Sequence, residues 1–510
     1  MNKKSLLSLF LAILTLTGCD FFTKPKNPDQ NDDDKPQVET IEKTALNFNF
    51  HDFKSNYVNL NRAIPSIGNP KMLVIPVYFS DSNNYITNKE NVRNDINLAY
   101  FGDSEQTGYE SVSSYYKKLS NGKCELGGVV SNWYEVDKTH DYFKTFDQEQ
   151  TLLNEAVDYY FSHSNDVRTQ YDLDQDGYLD AVALIYAAPT YDLLGDEEYN
   201  NLWFFTNWLE DAVSNVIAPT VNAYMWGSYV GMYDSSKALE RAGSNYGSGN
   251  TSYCTVDAHT YIHETGHLFG LQDYYDYTGT ACPAGGFSMQ DLNVGSHDPF
   301  SVMALGWADP YIPTKSCEIT INTFQTSHDL ILLTNSFNEF KSPFDEYILI
   351  ELYSNEGLNK FDSTHKYSVT TPQGLNDIGL RVWHVDARLT YTNTSVVNPN
   401  NITTNPKIEG NKVYEMMFNS FGGVHASALG SAYYNYNFLQ LLRNNTLDDY
   451  KTTSRLSSSS LFKDGSYFSF SLLKKQFYKS GLLNSGEAFN WNFDVKIKDN
   501  KATLTFNKIN

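Results

Sequence analysis

Basic residues are scarce in this chain. Its 38 Lys and Arg face 60 Asp and Glu, a formal net charge of −22. A field of that sign repels nucleic acid, so DNA and RNA drop out of the expected partners. Cysteine is scarce as well, with five in 510 residues. Long apolar runs are nearly absent. One run, Leu6 to Leu16, stands near the N-terminus, and it is too short to cross a bilayer as a mature helix. No glycine-rich phosphate loop and no G-x-S-x-G elbow occurs, so nucleotide chemistry and the serine-hydrolase elbow lack their motifs. No fixed-period repeat is present. What remains is a folding chain. Hydrophobic residues make up 41% and aromatics 15%, ample for packed cores. At this length two or three domains are expected.

The first twenty residues, MNKKSLLSLFLAILTLTGCD, place Lys3 and Lys4 before the apolar run and small residues after it. That order is a secretory signal. The ending Leu-Thr-Gly-Cys resembles the lipobox of bacterial lipoproteins. The resemblance implies lipidation of Cys19 and anchoring on the outer face of the cell membrane, because several acyl chains hold where one is marginal. The next segment, FFTKPKNPDQNDDDKPQVET, carries three prolines and three consecutive aspartates. It reads as a flexible tether. An exported chain meets oxidising conditions, so Cys124, Cys254, Cys282 and Cys317 can form up to two disulfides, in three connectivities. A bridge between Cys254 and Cys282 would brace the segment between them.

Folded sequence is expected from about residue 46. Lys71–Phe79 and Ala181–Tyr186 are continuous apolar runs that suit buried strands. Gly127–Tyr134 suits a third strand. Residues 89 to 120 and 150 to 163 carry helical spacing. Strands alternating with helices predict an α/β body. After about residue 310, short alternating segments follow, among them 317–322, 329–333, 347–352, 380–385, 493–497 and 502–506. They predict a β-rich, sandwich-like C-terminal region.

The stretch that carries chemistry is His263-Glu-Thr-Gly-His-Leu-Phe-Gly-Leu-Gln-Asp273. On a helix, His263 and His267 share one face and can reach one metal ion. Glu264 lies to the side, where it can take a proton from a metal-bound water. Gly270 can end the helix in a left-handed turn. Asp273 then returns as a third, oxygen ligand, and this donor set suits zinc. Asp276 and Asp291 are downstream rivals for that position. His259 extends the row to i, i+4, i+8. A helix rises about 12 Å over eight residues, so His259 belongs to packing or support. Gly266 inside the helix costs about 1 kcal/mol against alanine and implies a close neighbour.

The motif resembles the long zinc signature of the metzincin clan. Its wider context resembles the immune inhibitor A-type bacterial metallopeptidases. Met72–Asp81, Gly108–Tyr116 with Ser120–Leu126, His263–Asp276, Met303–Trp307 and Gly379–Asp386 match that family's landmarks in order. The resemblance spans roughly residues 70 to 390 and implies a zinc endopeptidase. Phe287-Ser-Met289-Gln then corresponds to the methionine-containing turn beneath the metal, with Met303 as the rival position. Trp383-His384-Val-Asp386 reads as structural.

A second loop, Asp172-Leu-Asp174-Gln-Asp176-Gly177-Tyr178-Leu-Asp180, carries most of a calcium-loop pattern. Asp172, Asp174 and Asp176, the Tyr178 carbonyl and Asp180 are its expected ligands. The usual glutamate at position 12 is replaced by Ala183. Asp180 can instead orient the strand that follows.

The expected fold class is α/β (α+β): signal peptide 1–18, tether 19–45, a metzincin-like zinc peptidase catalytic domain 46–310, and the β-rich region 311–510. The expected function is a surface-anchored zinc endopeptidase acting on extracellular proteins or peptides. The rivals are a catalytically inactive adhesin or glycan-binding protein, and a zinc hydrolase of cell-wall peptides.

Overall fold

Continuous apolar runs belong to strands covered on both faces, and two such runs lie at the centre of the first sheet. In the computed structural model, β1 (Lys71–Tyr78), β2 (Gly127–Val130), β3 (Tyr134–Glu135), β4 (Ala181–Tyr186), β5 (Phe205–Trp208) and β6 (Ala223–Ser228) form one sheet. Its order is β2-β1-β4-β6-β5, with β3 also on β1. All pairings are parallel except that of β5, an antiparallel edge strand. The structure describes residues 41–47, 64–145, 148–196, 200–209, 211–392, 402–406, 413–416, 419 and 436–509. The expected signal, the lipidation site Cys19 and the tether as far as residue 40 lie outside these. Among the described residues no helix is long and apolar enough to cross a membrane.

Alternate residues along each strand feed two cores. Leu73, Ile75 and Val77 of β1 join Val182 and Leu184 of β4 and meet Leu152, Leu153, Ala156 and Val157 of helix Gln148–His163. Met72, Val74, Ala183 and Ile185 face the other way. They meet Val92, Ile96 and Ala99 of helix Lys89–Phe101 and Tyr261 and Ile262 of helix His259–Leu268. The stretch 89–120 is not one helix. It breaks at Gly102 and again at Gly108, into Lys89–Phe101, Ser104–Thr107 and Val112–Leu119. The expected strand 127–134 also breaks, because residues 131–133 leave the ladder between β2 and β3.

The later strands are β7 (Cys317–Asn322), β8 (Leu330–Leu333), β9 (Glu346–Tyr353), β10 (Gly379–Asp386), β11 (Leu389–Thr392), β12 (Ile402–Thr403), β13 (Val413–Met416), β14 (Leu439–Leu442), β15 (Tyr467–Ser469), β16 (Trp491–Lys498) and β17 (Lys501–Lys508). They make three antiparallel sheets, ordered β14-β10-β9-β8, β15-β16-β17-β7 and β12-β11-β13. The first two bury their facing residues together. Ile348, Ile350, Leu380 and Val382 pack with Phe493, Leu504 and Phe506. The overall class is a mixed α+β fold.

β9 and β10 depart from simple alternation, since every residue of both is buried. Their outer faces carry Tyr347, Leu349, Trp383 and Val385, and these join the core that holds helix His259–Leu268. The sheet is therefore a middle layer, wet on neither side. Residues Ile41–Asn510 form one compact unit, and one apolar core crosses position 310.

The four described cysteines are free thiols. Cys254 is buried with its Sγ 3.3 Å from Thr251 Oγ1. Residue 282 is fixed without a bridge: its amide donates to Thr452 O and its carbonyl accepts from Arg443. The bridge that Cys254 and Cys282 could have formed is absent, and hydrogen bonds to the backbone of residue 282 hold it instead.

Candidate metal centre

Helix His259–Leu268 begins without a side-chain cap at Ala258. The carboxylate of Asp257 instead accepts the His259 amide at 3.0 Å, a favourable charge at a helix N-terminus. The helix ends as its sequence requires. Gly270 has φ +90°. The Leu271 amide donates to Gly266 O and the Gly270 amide to His267 O, the paired bonds of a Schellman turn.

That turn does two further things. It presents the Leu271 carbonyl to His267 Nδ1 at 2.8 Å. It also returns Asp273 to the helix face. On the other side, the Met289 carbonyl stands 2.8 Å from His263 Nδ1. A carbonyl only accepts, so each Nδ1 carries a hydrogen, and Nε2 is the atom each ring would offer a metal. The two Nε2 atoms are 3.1 Å apart. Asp273 Oδ1 lies 3.0 Å from that of His263 and 3.3 Å from that of His267. It is buried and has no hydrogen-bond donor among the described residues. The three atoms thus converge on one point, the two imidazole nitrogens within hydrogen-bond distance of each other and Asp273 Oδ1 beside both. Tetrahedral bonds of about 2 Å from one ion would separate its ligands by about 3.3 Å, close to the spacing found here. The donor set fits a divalent metal.

The other oxygen of Asp273, Oδ2, accepts the Tyr277 hydroxyl. Asp276 does not reach the cluster. Its carboxylate accepts the amides of Thr278, Thr280 and Ala281 and holds the following turn. Asp291 is buried and accepts the Gly286 amide. Of the three downstream aspartates, Asp273 is the one brought to the histidines.

Glu264 is 7% exposed. Thr206 of β5 donates to its backbone carbonyl at 3.0 Å and approaches its carboxylate at 3.5 Å. Burial raises the Glu264 carboxyl above its ordinary value, against the pull of His267 and His263 and with a push from Asp273. Burial alone would push His267 down, but Asp273 and Glu264 hold it up to about 9. Burial would raise Asp273, but the two histidines hold it well below the usual carboxylate range. The cluster attracts positive charge, and protons compete with metal for it.

Gly266 has the close neighbour its position implies. A Cβ there would come within 2.2 Å of Gln290 Oε1. His259 points away from the cluster. It is fully buried between the rings of Tyr109 and Tyr367, 4.2 and 4.1 Å away and nearly parallel. Its Nδ1 is 3.0 Å from Asp257 and its Nε2 3.2 Å from Asp362. Met303 is buried in helix Pro299–Ala304. His384 and Asp386 sit in a buried network with Glu346, Arg388 and Asn484.

In the second loop Asp172, Asp174 and Asp176 converge. Gln175 and Gly177 take φ +59° and +87°. Asp180 does not join them. Its Oδ1 accepts the Leu173 amide at 2.9 Å and its Oδ2 the Lys71 amide at 3.1 Å. The reason is local: Asp180 immediately precedes β4, and its side chain turns under the loop. Burial pushes its carboxyl up to about 7, against those two amides. Tyr178 donates its amide to Asp176 and its hydroxyl to Ala212 O.

Thr206, Tyr277, Gln290 and Asn419 also shape the site, and no sequence pattern marked them. Asn419 donates to the carbonyls of Tyr274 and Leu439. Thr206 and Asn419 lie 58 and 145 residues from their partners at the site, beyond any local periodicity. A scan against models of protein families finds no match, and a search of curated proteins finds none.

Proposed function

We propose that this protein is a zinc-dependent endopeptidase with a metzincin-like catalytic domain. It acts on extracellular proteins from a lipid anchor at Cys19. The observation that carries the reading is the convergence of His263 Nε2, His267 Nε2 and Asp273 Oδ1 within 3.3 Å of one another, beside the buried Glu264. Zinc bound by those three residues supplies Lewis acidity to the peptide carbonyl and to the attacking water. Met289 and Leu271 carbonyls orient the imidazoles, and Tyr277 leaves Asp273 one free oxygen. Glu264 accepts the proton of the attacking water and returns it to the leaving amine. Its raised carboxyl suits the first step, since a weaker acid has the stronger conjugate base toward water, and it still donates to the more basic amine. The segment Phe287–Met289, which enters the short helix Met289–Leu292, takes the place of the methionine-containing turn of the clan.

The test is metal content and casein cleavage by wild type and Glu264→Gln. Both are expected to hold zinc, and the variant to lose on the order of 10²–10⁴ of the rate. Equal cleavage by both would remove Glu264 from the mechanism. A wild type that holds no zinc and cuts no substrate would favour the binding-protein reading. Digestion of a peptide library beside cell-wall peptides separates the two hydrolase readings.

A further inference from the structure

The segment Gly379–Asp386 takes no part in the chemistry above, yet every residue of it is buried. Leu380 and Val382 face the core between the antiparallel sheets. Arg381, Trp383 and Val385 therefore point the other way, and Trp383 and Val385 lie in the core that holds the metal-site helix. Arg381 Nε donates to Glu351 Oε1, its partner directly across the ladder, at 2.7 Å. The Trp383 indole N–H shares that oxygen at 3.2 Å. Arg381 Nη1 donates to the Phe287 carbonyl at 2.7 Å. Its guanidinium lies over the rings of Tyr353 and Trp383. Phe287 stands two residues before Met289, whose carbonyl orients His263.

Other bonds run the same way. The Leu441 amide donates to Pro283 O and the Leu456 amide to Gly285 O. Arg443 donates to Cys282 O at 2.9 Å. The segment 282–289, which props one metal ligand, hangs from residues beyond 380. A buried Arg–Glu pair is a poor source of stability, because desolvation offsets its attraction and apolar replacements do as well. Here Nη2 of the guanidinium even lacks an acceptor among the described residues. What the fork supplies is direction: it fixes one carbonyl against one strand.

We infer that Arg381, held by Glu351, is a positioning residue of the metal centre, clamping the segment Phe287–Met289, whose last carbonyl orients His263. This rests on the metal reading, and the two can fail separately. The experiment measures zinc affinity of the full-length chain by chelator competition, the absorption bands of the cobalt(II)-loaded protein, and melting temperature after chelation. Arg381→Met/Glu351→Gln is expected to melt near wild type, bind zinc about 10–100-fold more weakly, and shift the cobalt bands. Arg381→Lys keeps the charge and loses the fork, and it covers a double variant that does not fold; the same weakening is expected. His384→Gln, on the opposite face of β10, is expected to lower the melting temperature and leave zinc affinity within twofold. Unchanged zinc affinity in either Arg381 variant overturns the inference. So does an equal loss in His384→Gln, which would mark general strain. A wild type that binds no zinc overturns the metal reading itself, and the clamp falls with it.

Discussion

The cluster of His263, His267 and Asp273 and the turn of Asp172, Asp174 and Asp176 each bring three ligand atoms within 4.8 Å of one another. They differ in who supplies the order. In the turn, the carboxylates order themselves. Asp172 accepts the Asp176 and Gly177 amides, and Asp176 accepts the Tyr178 amide. In the histidine cluster the two Nε2 atoms meet at 3.1 Å, and the order comes from residues outside the three. Met289, Leu271 and Tyr277 aim each one, and Gln290 packs the helix behind them. A site whose lone pairs are held apart from their own backbone is prepared for a cation. A turn whose oxygens already serve its amides is prepared chiefly to fold.

The largest effect expected from this difference lies in the support of the helix. Burial alone would push His259 down from its ordinary 6.5, but Asp257 and Asp362 outweigh it and hold it up to about 10. A raised value means the charged form is favoured by folding. The stabilisation is therefore complete below pH 6.5 and is lost as pH rises through 10. Leaving two buried carboxylates without their cation costs on the order of 3–5 kcal/mol. Melting temperatures of wild type and His259→Gln across that range are expected to converge as pH rises. A gap that stays constant would mean His259 carries no pinning charge.

The second effect concerns the ligands. Asp273→Ala is expected to lower zinc affinity by on the order of a hundredfold, about 2.7 kcal/mol. Asp276→Ala is expected to leave it within about threefold, since its carboxylate serves backbone amides. Equal losses, read by chelator competition, would erase the distinction between the two aspartates. The third effect tests the packing. Gly266→Ala gains about 1 kcal/mol of helix propensity and loses about 1–3 kcal/mol to the clash with Gln290. A lower melting temperature is expected, with recovery in Gly266→Ala/Gln290→Ala. A single variant more stable than wild type would show that Gln290 gives way freely.

The helix and the convergence of His263, His267 and Asp273 were legible because their signals are local. Two imidazoles four apart, a glycine that permits φ +90°, and an aspartate three residues on each act within one or two turns. β1 and β4 were legible for the same reason, as unbroken apolar runs, whereas β6, also parallel, went unread. The division at residue 310 was legible only as a change of pattern. It hid the fact that β9 and β10 are covered on both faces, because burial of the second face is contributed by residues far away in the chain. β5, with Thr206, went unread: four residues with one buried position carry no periodicity. Asp180 fitted a loop template by spacing, yet spacing does not say which side of the chain a carboxylate leaves from.

The smallest effect belongs to the acidic turn. Each carboxylate oxygen has two lone pairs, so an amide and a cation can share it. Calcium can therefore still bind as a structural ion, through Asp172, Asp174 and Asp176 and without Asp180. Because the turn is already formed, binding releases little folding energy. At ten times its dissociation constant calcium adds about 1.4 kcal/mol, a shift of a few degrees at most for a unit this size. Millimolar calcium is expected to raise the melting temperature by that amount in wild type and in Glu264→Gln alike. The rise should vanish in Asp172→Asn, which keeps one amide acceptor and loses the charge. A rise as large as that from zinc would make the turn a second prepared site and break the comparison. No rise at all would leave Asp172 as a turn-former alone, and the histidine cluster as the chain's one cation site among the described residues.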